Sequence, residues 1–203
     1  MVGPGLTHKL GRTCCDPARR TCTSRAKSND QKSRSMTTLS PLQTAIEQIR
    51  FARDYTLQLI EDFSDEAWFE QPQGVTHLGW QVGHLAMAQY GLCLFRIRGR
   101  HEDDVKLMSS RFRKRFSRGT AVSGDPADYP PPGEIRDVFD RVFAQVQTEL
   151  PDVDPTVLEE PIEAPYAVFP NKLGGLYFCA SHEMLHAGQI GLLRRLIGKD
   201  PIR

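Results

Sequence analysis

Between residues 42 and 63, apolar side chains recur at steps of three and four residues, the spacing that places them on one face of an α-helix. Ser40, Pro41 and Gln43 stand at the start of this stretch and form the signature of a capping box with a proline in the first turn. The pattern predicts a first helix that begins at Ser40 and ends before Pro72. Its apolar face consists of Leu42, Ala45, Ile46, Ile49, Ala52, Leu57, Ile60 and Phe63.

Three further stretches carry the same periodicity. They predict a second helix over 76–97, a third over 135–150 that ends at Pro151, and a fourth over 175–197. We find no convincing alternation of apolar and polar residues of the kind that a half-buried strand shows. The chain is therefore predicted to be all-α. A four-helix bundle with long crossover loops is the architecture that buries four amphipathic faces.

Glycines interrupt the apolar pattern of the second helix. Gly79, Gly83 and Gly91 should each cost about 1 kcal/mol relative to alanine in a helix interior. They indicate either that a neighbouring element packs closely here or that the helix has different ends. The connections over 98–132 and 151–174 are long enough to cross over one end of a bundle.

Residues 1–35 differ in composition from the rest of the chain. They contain no Phe, Trp or Tyr, and they hold eight basic but only two acidic residues. Such a segment cannot bury enough apolar surface to offset the entropy lost on ordering, so we expect a disordered basic tail. We expect residues 36–203 to form a single domain, with Met36 as the natural start of the protein.

The overall composition argues against several classes of protein. The 26 Lys and Arg residues balance 25 Asp and Glu residues, so no nucleic-acid partner is expected. No apolar run approaches the roughly 20 residues that cross a bilayer, so no membrane association is expected. The five cysteines are an odd number, and Cys93 and Cys179 fall inside helical patterns, which argues against a disulfide framework and favours a cytoplasmic location.

One segment of the body is strongly basic. Residues 96–118 contain nine Lys and Arg side chains, among them Arg111, Lys114 and Arg115. This segment is either a basic rim that attracts an anionic substrate or a solvated loop and helix end. The sequence alone favours the solvated surface.

The clearest chemical motif is H-E-M-L-H at residues 182–186. Two histidines four residues apart lie on one face of a helix, about 6 Å apart, where they can share a metal ion or form a pair of hydrogen-bonded core histidines. The order H-E-x-x-H is also that of zinc proteases, in which Glu183 would be the general base. No His or Glu follows His186 to supply a third ligand, so a zinc protease is not expected.

A third metal ligand must therefore come from upstream. His84 is the best candidate because it lies inside the predicted second helix, whereas His8 falls in the tail and His101 in a connection. His77 lies about 10 Å from His84 along the same helix. One histidine on the second helix and two on the fourth can build a three-nitrogen site that keeps an open coordination position.

Two segments resemble a known family. Residues 79–86 read G-W-Q-V-G-H-L-A, residues 182–198 read H-E-M-L-H-A-G-Q-I-G-L-L-R-R-L-I-G, and both are similar to the DinB/YfiT-like superfamily. The resemblance covers residues 36–203. It implies a four-helix bundle in which one histidine on helix two and two on helix four bind a divalent metal. Matched residue by residue, these ligands are His84, His182 and His186.

The resemblance also implies an activity. Characterised relatives include thiol-dependent S-transferases and an isomerase that uses low-molecular-weight thiols, so our leading interpretation is a metal-dependent transferase that joins such a thiol to an electrophile. A metal-dependent hydrolase at the same site and a non-enzymatic binding or structural bundle are the alternatives. Relatives often form dimers, so we expect a homodimer.

Two more residues are candidates for the site. Glu183 can either act catalytically on a metal-bound water or face solvent. Gln189, one turn beyond His186, can either support the metal ligands or be a buried amide whose hydrogen bonds are satisfied. Imidazole suits zinc, nickel and iron alike, so the prediction is a divalent metal of undetermined identity and a small-molecule substrate.

Overall fold

The computed structural model describes residues 38–162 and 166–202. Over these ranges the chain is helical, and it forms no β-strand apart from one isolated antiparallel bridge between Pro161 and Asn171. The predicted all-α class is confirmed. The predicted tail, residues 1–35, lies outside the described residues. The four longest helices are α1 (Pro41–Ile60), α2 (Leu78–Gln89), α3 (Pro132–Glu149) and α4 (Lys172–Leu196).

Shorter helical elements occupy the connections. The segment that follows α2 is a π-helix, Tyr90–Phe95. The short α-helices are Arg96–Arg98, Asp104–Leu107, Ser110–Arg115 and Pro155–Leu158. The 3-10 turns are Glu66–Phe69, Pro72–Gly74, Pro126–Asp128 and Leu150–Asp152.

α1 begins where the sequence predicts. The Ser40 hydroxyl accepts a hydrogen bond from the backbone N–H of Gln43, and the Gln43 side chain accepts one from the backbone N–H of Ser40. The helix ends at Ile60, well before the predicted limit at Pro72. The apolar periodicity continues beyond the helix because the next turns also bury apolar side chains, among them Phe63 and Trp68.

The second predicted helix is not continuous. α2 ends at Gln89 and gives way to the π-helix. A Cβ atom added at Gly83 would lie 2.5 Å from the ring of Phe116, so this glycine permits close packing. A Cβ atom added at Gly91 would meet nothing within 4 Å, and Gly91 lies in the π-helix. The glycines therefore reflect both causes that the sequence suggested.

The packing of the long helices places α2 against the middle of α4. α1 packs along α4, and α2 packs along α3 while it also contacts α4. None of the helices in the described ranges is long and apolar enough to cross a membrane. The core between the helices includes Ile49, Leu59, Val82, Leu85, Phe139, Val142, Leu176 and Ile190.

Candidate metal centre

Three histidines meet between α2 and α4. His84 comes from α2, His182 and His186 come from α4, and one ring nitrogen of each lies within 4.8 Å of the other two. The Nε2 atoms of His182 and His186 are 3.2 Å apart. The structure thus brings together the three residues that the sequence singled out as metal ligands.

Neighbouring groups fix the orientation of His84. Its Nδ1 lies 2.8 Å from the carbonyl oxygen of Phe116. Because a carbonyl only accepts hydrogen bonds, Nδ1 carries the proton and Nε2 keeps its lone pair. The indole of Trp80 stacks on the imidazole with ring centroids 4.8 Å apart and holds the plane of the ring.

A side chain fixes His186 in the same way. Its Nδ1 donates to Oε1 of Gln81, and the Gln81 amide nitrogen donates to the Thr76 hydroxyl at 3.1 Å. Gln81 is 1% exposed, and its hydrogen bond to His186 is buried. Nε2 of His186 therefore keeps its lone pair and faces Nε2 of His182. Gln81 is not among the residues that the sequence predicts for the site, although its position three residues before His84 places both on one face of α2.

Burial keeps the three imidazoles neutral at pH 7. It is the main cause that lowers the pKa of His84, while the hydrogen bond to the Phe116 carbonyl opposes it. Burial, followed by repulsion from the neighbouring histidines, lowers the pKa of His182 to about 4 and that of His186 to about 3. A metal ion binds the neutral form of imidazole, so no proton has to leave these rings at pH 7.

This set of donors fits a divalent transition metal. Two imidazole nitrogens bound tetrahedrally at about 2.0–2.1 Å from zinc are about 3.3 Å apart, close to the separation of the His182 and His186 Nε2 atoms. Phe116 and Gln81 each bond the ring nitrogen that faces away from the centre, as partners of metal-binding histidines do. His84 and His186 are buried and His182 is half-buried, so His182 is the most exposed of the three.

Glu183 does not face the three histidines. Its Oε1 accepts a hydrogen bond from Nε of Arg53 at 2.8 Å, and the two side chains are 2% and 0% exposed. Arg53 also donates to the Phe139 carbonyl and to the Gln89 side chain, both at 2.9 Å. A rotation of about 100° per residue turns Glu183 away from His182 and into the helical core. The sequence predicts Glu183 either at the metal centre or in solvent. The structure places it in a buried ion pair with Arg53.

The remaining candidates lie elsewhere. Gln189 is exposed on α4 and not buried as an amide, and the side chain that bonds Nδ1 of His186 is that of Gln81. His77 is buried at the start of α2, where its Nδ1 accepts the backbone N–H of Trp80 at 3.1 Å. The exposed His101 is outside the cluster.

A comparison with protein-family models identifies the family of this chain. The model of the DinB superfamily matches residues 48–190. The chain belongs to the DinB superfamily. The matched range contains His84, His182 and His186 as well as Gln81, so in this DinB-superfamily chain the whole histidine cluster falls within the family domain. No curated protein matches the chain significantly.

Proposed function

We propose that this DinB-superfamily protein is a divalent-metal-dependent transferase that joins a low-molecular-weight thiol to an electrophile, with His84, His182 and His186 as the metal ligands. The convergence of three neutral imidazoles, two of them oriented by buried hydrogen bonds, carries the proposal. Zinc, nickel and iron(II) all suit this nitrogen donor set.

The three histidines would hold the metal and leave one coordination position for a further ligand. Three nitrogen ligands fill all but one position of a tetrahedral site. A divalent metal bound there would lower the pKa of a coordinated thiol, so that the thiolate is available at neutral pH. The imidazoles carry no charge of their own and would leave the positive charge of the metal undiminished.

The position of Glu183 favours a thiol over water as the nucleophile. A hydrolase of the H-E-x-x-H type uses the glutamate as a general base, and here Arg53 holds that carboxylate in the core. The ligand cluster found in the described part of the chain consists of histidines alone, without a carboxylate. A thiol that is already ionised needs no such base.

Aromatic side chains lie close to two of the three histidines. The Phe178 ring lies 5.7 Å from that of His182, and Tyr166 lies 5.8 Å from Phe178. Together with Trp80 on His84, these rings limit the access of water and offer a surface for the apolar part of an electrophile.

Metal content tests the first half of the proposal. Protein purified without a metal-binding tag is expected to contain about one equivalent of divalent metal by elemental analysis. His84→Ala, His182→Ala and His186→Ala are each expected to lose it. The matched control is His101→Ala, because His101 is exposed and outside the cluster. A metal-free wild-type protein that also binds no added zinc, nickel or iron(II) would refute the site.

Catalytic turnover tests the second half of the proposal, the transfer of a thiol to an electrophile. The metal-loaded protein is expected to accelerate the reaction of a small thiol with monobromobimane, and His182→Ala is expected to abolish the acceleration. Hydrolysis of para-nitrophenyl acetate without thiol transfer would instead make the protein a hydrolase. A loaded site with neither activity would support the non-enzymatic binding protein and contradict the transferase.

A further inference from the structure

A row of partly exposed aromatic side chains leads away from His182. The Phe178 ring lies 5.7 Å from that of His182, and the Tyr166 ring lies 5.8 Å from that of Phe178. All three residues are half-buried, whereas His84 and His186 are buried. The row therefore links the histidine cluster with solvent-accessible surface at Tyr166.

Two arginines hold the end of this row that is farthest from His182. The Arg118 guanidinium donates a hydrogen bond to the Tyr166 hydroxyl, and the Arg96 guanidinium donates one to the Tyr166 backbone carbonyl at 3.3 Å. The guanidinium carbons of Arg118 and Arg96 lie 5.5 and 5.6 Å from the centre of the Tyr166 ring. At this distance the face of the ring attracts a cation. Tyr166 thus keeps two positive charges at one place.

The two arginines keep donors that a ligand can use. In the described part of the chain, each guanidinium makes only its hydrogen bond to Tyr166, and neither belongs to an ion pair. Glu160, six residues before Tyr166, is paired with Lys172 at 2.8 Å. Arg118 is exposed, and none of the unpaired guanidinium nitrogens of Arg96 is buried. The remaining N–H groups are therefore accessible from solvent.

The backbone around Arg118 is anchored to the histidine cluster. Two residues before it, the carbonyl oxygen of Phe116 lies 2.8 Å from Nδ1 of His84. Two residues after it, the Thr120 hydroxyl accepts a hydrogen bond at 3.3 Å from the indole of Trp80, which stacks on His84. These two anchors limit how far Arg118 can lie from the metal centre, although its side chain is exposed.

We infer that Arg96 and Arg118 select an anionic thiol, one that carries a carboxylate several bonds away from its sulfur. This inference rests on the proposed function, because it needs the thiol sulfur at the metal centre. With the sulfur there, the rest of the thiol extends along Phe178 and Tyr166, and its carboxylate accepts hydrogen bonds from the two guanidinium groups. Part of the basic segment 96–118 is then a rim that attracts the substrate rather than a merely solvated surface.

Cobalt-substituted protein tests the inference without turnover. A thiolate bound to cobalt(II) absorbs in the near ultraviolet, so a titration gives the dissociation constant of each thiol. The probes are 6-mercaptohexanoate and 6-mercapto-1-hexanol, which share the thiol and the carbon chain and differ in the carboxylate. We expect the carboxylate probe to bind about tenfold more tightly or better, as a hydrogen-bonded charge pair provides.

The outcomes of this titration separate the two proposals. Equal affinity for the two probes would overturn the selection of an anionic thiol and leave the proposed function standing. A cobalt-loaded protein that shows no thiolate absorption with either probe would refute the proposed function, and the anionic substrate with it.

Variants assign the preference to the two arginines. Arg118→Gln and Arg96→Gln are each expected to weaken binding of 6-mercaptohexanoate about tenfold and to leave binding of 6-mercapto-1-hexanol unchanged. Arg111→Gln is the matched control, because Arg111 is an exposed arginine of the same basic segment and lines a cavity that does not include Tyr166. A preference that persists in both variants, or that the control loses equally, would overturn the inference. Equal weakening of both probes would show a structural role only and would also overturn it.

Discussion

At the scale of single residues, Gln81 decides how His186 presents its second nitrogen. Gln81→Leu removes the acceptor for Nδ1 while a side chain of similar size keeps the packing. Loss of such a partner typically weakens metal binding 10- to 100-fold, and we expect a loss of that order in a competition titration with a chelator. Gln189→Leu is the matched control because Gln189 is exposed on α4. An unchanged metal affinity in Gln81→Leu, or an equal loss in both variants, would contradict this role of Gln81.

Glu183 stabilises the fold through its buried ion pair with Arg53. Glu183→Ala leaves the buried Arg53 without its carboxylate, so the free energy of unfolding should fall by about 3–5 kcal/mol in urea denaturation. The exposed pair of Glu47 and Arg50 provides the comparison, and Glu47→Ala should change stability by less than about 1 kcal/mol. The folded Glu183→Ala protein is expected to keep its metal. A fully stable variant that has lost turnover would instead make Glu183 a catalytic residue.

At the scale of helices and connections, Gly83 sets the distance between α2 and the segment that carries Phe116. A methyl group there would meet the Phe116 ring at 2.5 Å and displace the carbonyl that orients His84. Gly83→Ala should therefore lower the free energy of unfolding by about 1–3 kcal/mol and weaken metal binding. Gly188→Ala on α4 has open space and should raise stability by up to about 1 kcal/mol. Equal effects of the two substitutions would contradict the packing argument.

Asp104 begins the short helix Asp104–Leu107, and its ion pair makes the stability of the fold sensitive to acid. Its carboxylate accepts hydrogen bonds from Arg98 and Tyr90, and the Arg98 guanidinium is the main cause that lowers the pKa of Asp104 to about 2. The folded state thus favours the ionised form. This stabilisation is complete above the ordinary pKa near 3.8 and is lost as the pH falls towards 2.

Acid titration of stability measures this effect. Between pH 4 and pH 2 the wild-type protein should lose about 2 kcal/mol more of its unfolding free energy than Asp104→Asn does. Asp140→Asn, a substitution at an exposed aspartate, should follow the wild-type curve. Parallel curves for Asp104→Asn and the wild type would show that the ion pair contributes nothing.

At the scale of the whole molecule, the homodimer stays a prediction, and we expect its contact on the outer face of α1 and α4. Phe51 and Leu185 are 66% and 64% exposed there, beside a groove of about 730 Å³ in which Glu47 is the one charged lining residue. In a twofold dimer the Phe51 side chain of each copy can fill the groove of the other. Phe51→Glu should halve the mass measured by light scattering, whereas Val75→Glu, at a residue exposed elsewhere, should not. A monomeric wild-type protein would refute the dimer.

The sequence by itself determined the helical class and the histidines that come together. Helix periodicity and the capping signals at Ser40 are local, so they can be recognised in the sequence without knowledge of the fold. The spacing of four residues between His182 and His186 fixes their common face in any α-helix. Family resemblance and the placement of His84 inside a predicted helix then supplied the third member of the cluster.

Only the tertiary structure decided what surrounds those histidines. Glu183 and Arg53 are 130 residues apart in the chain, and Gln81 and His186 are 105 apart. Such pairings depend on how each helix is rotated and on where its ends fall, which a repeating pattern of apolar residues does not specify. The π-helix after Gln89 shows the same limit, since it changes the direction of every later side chain without changing the apolar composition. Local spacing predicts which residues share a face, and the packing of the helices decides what that face meets.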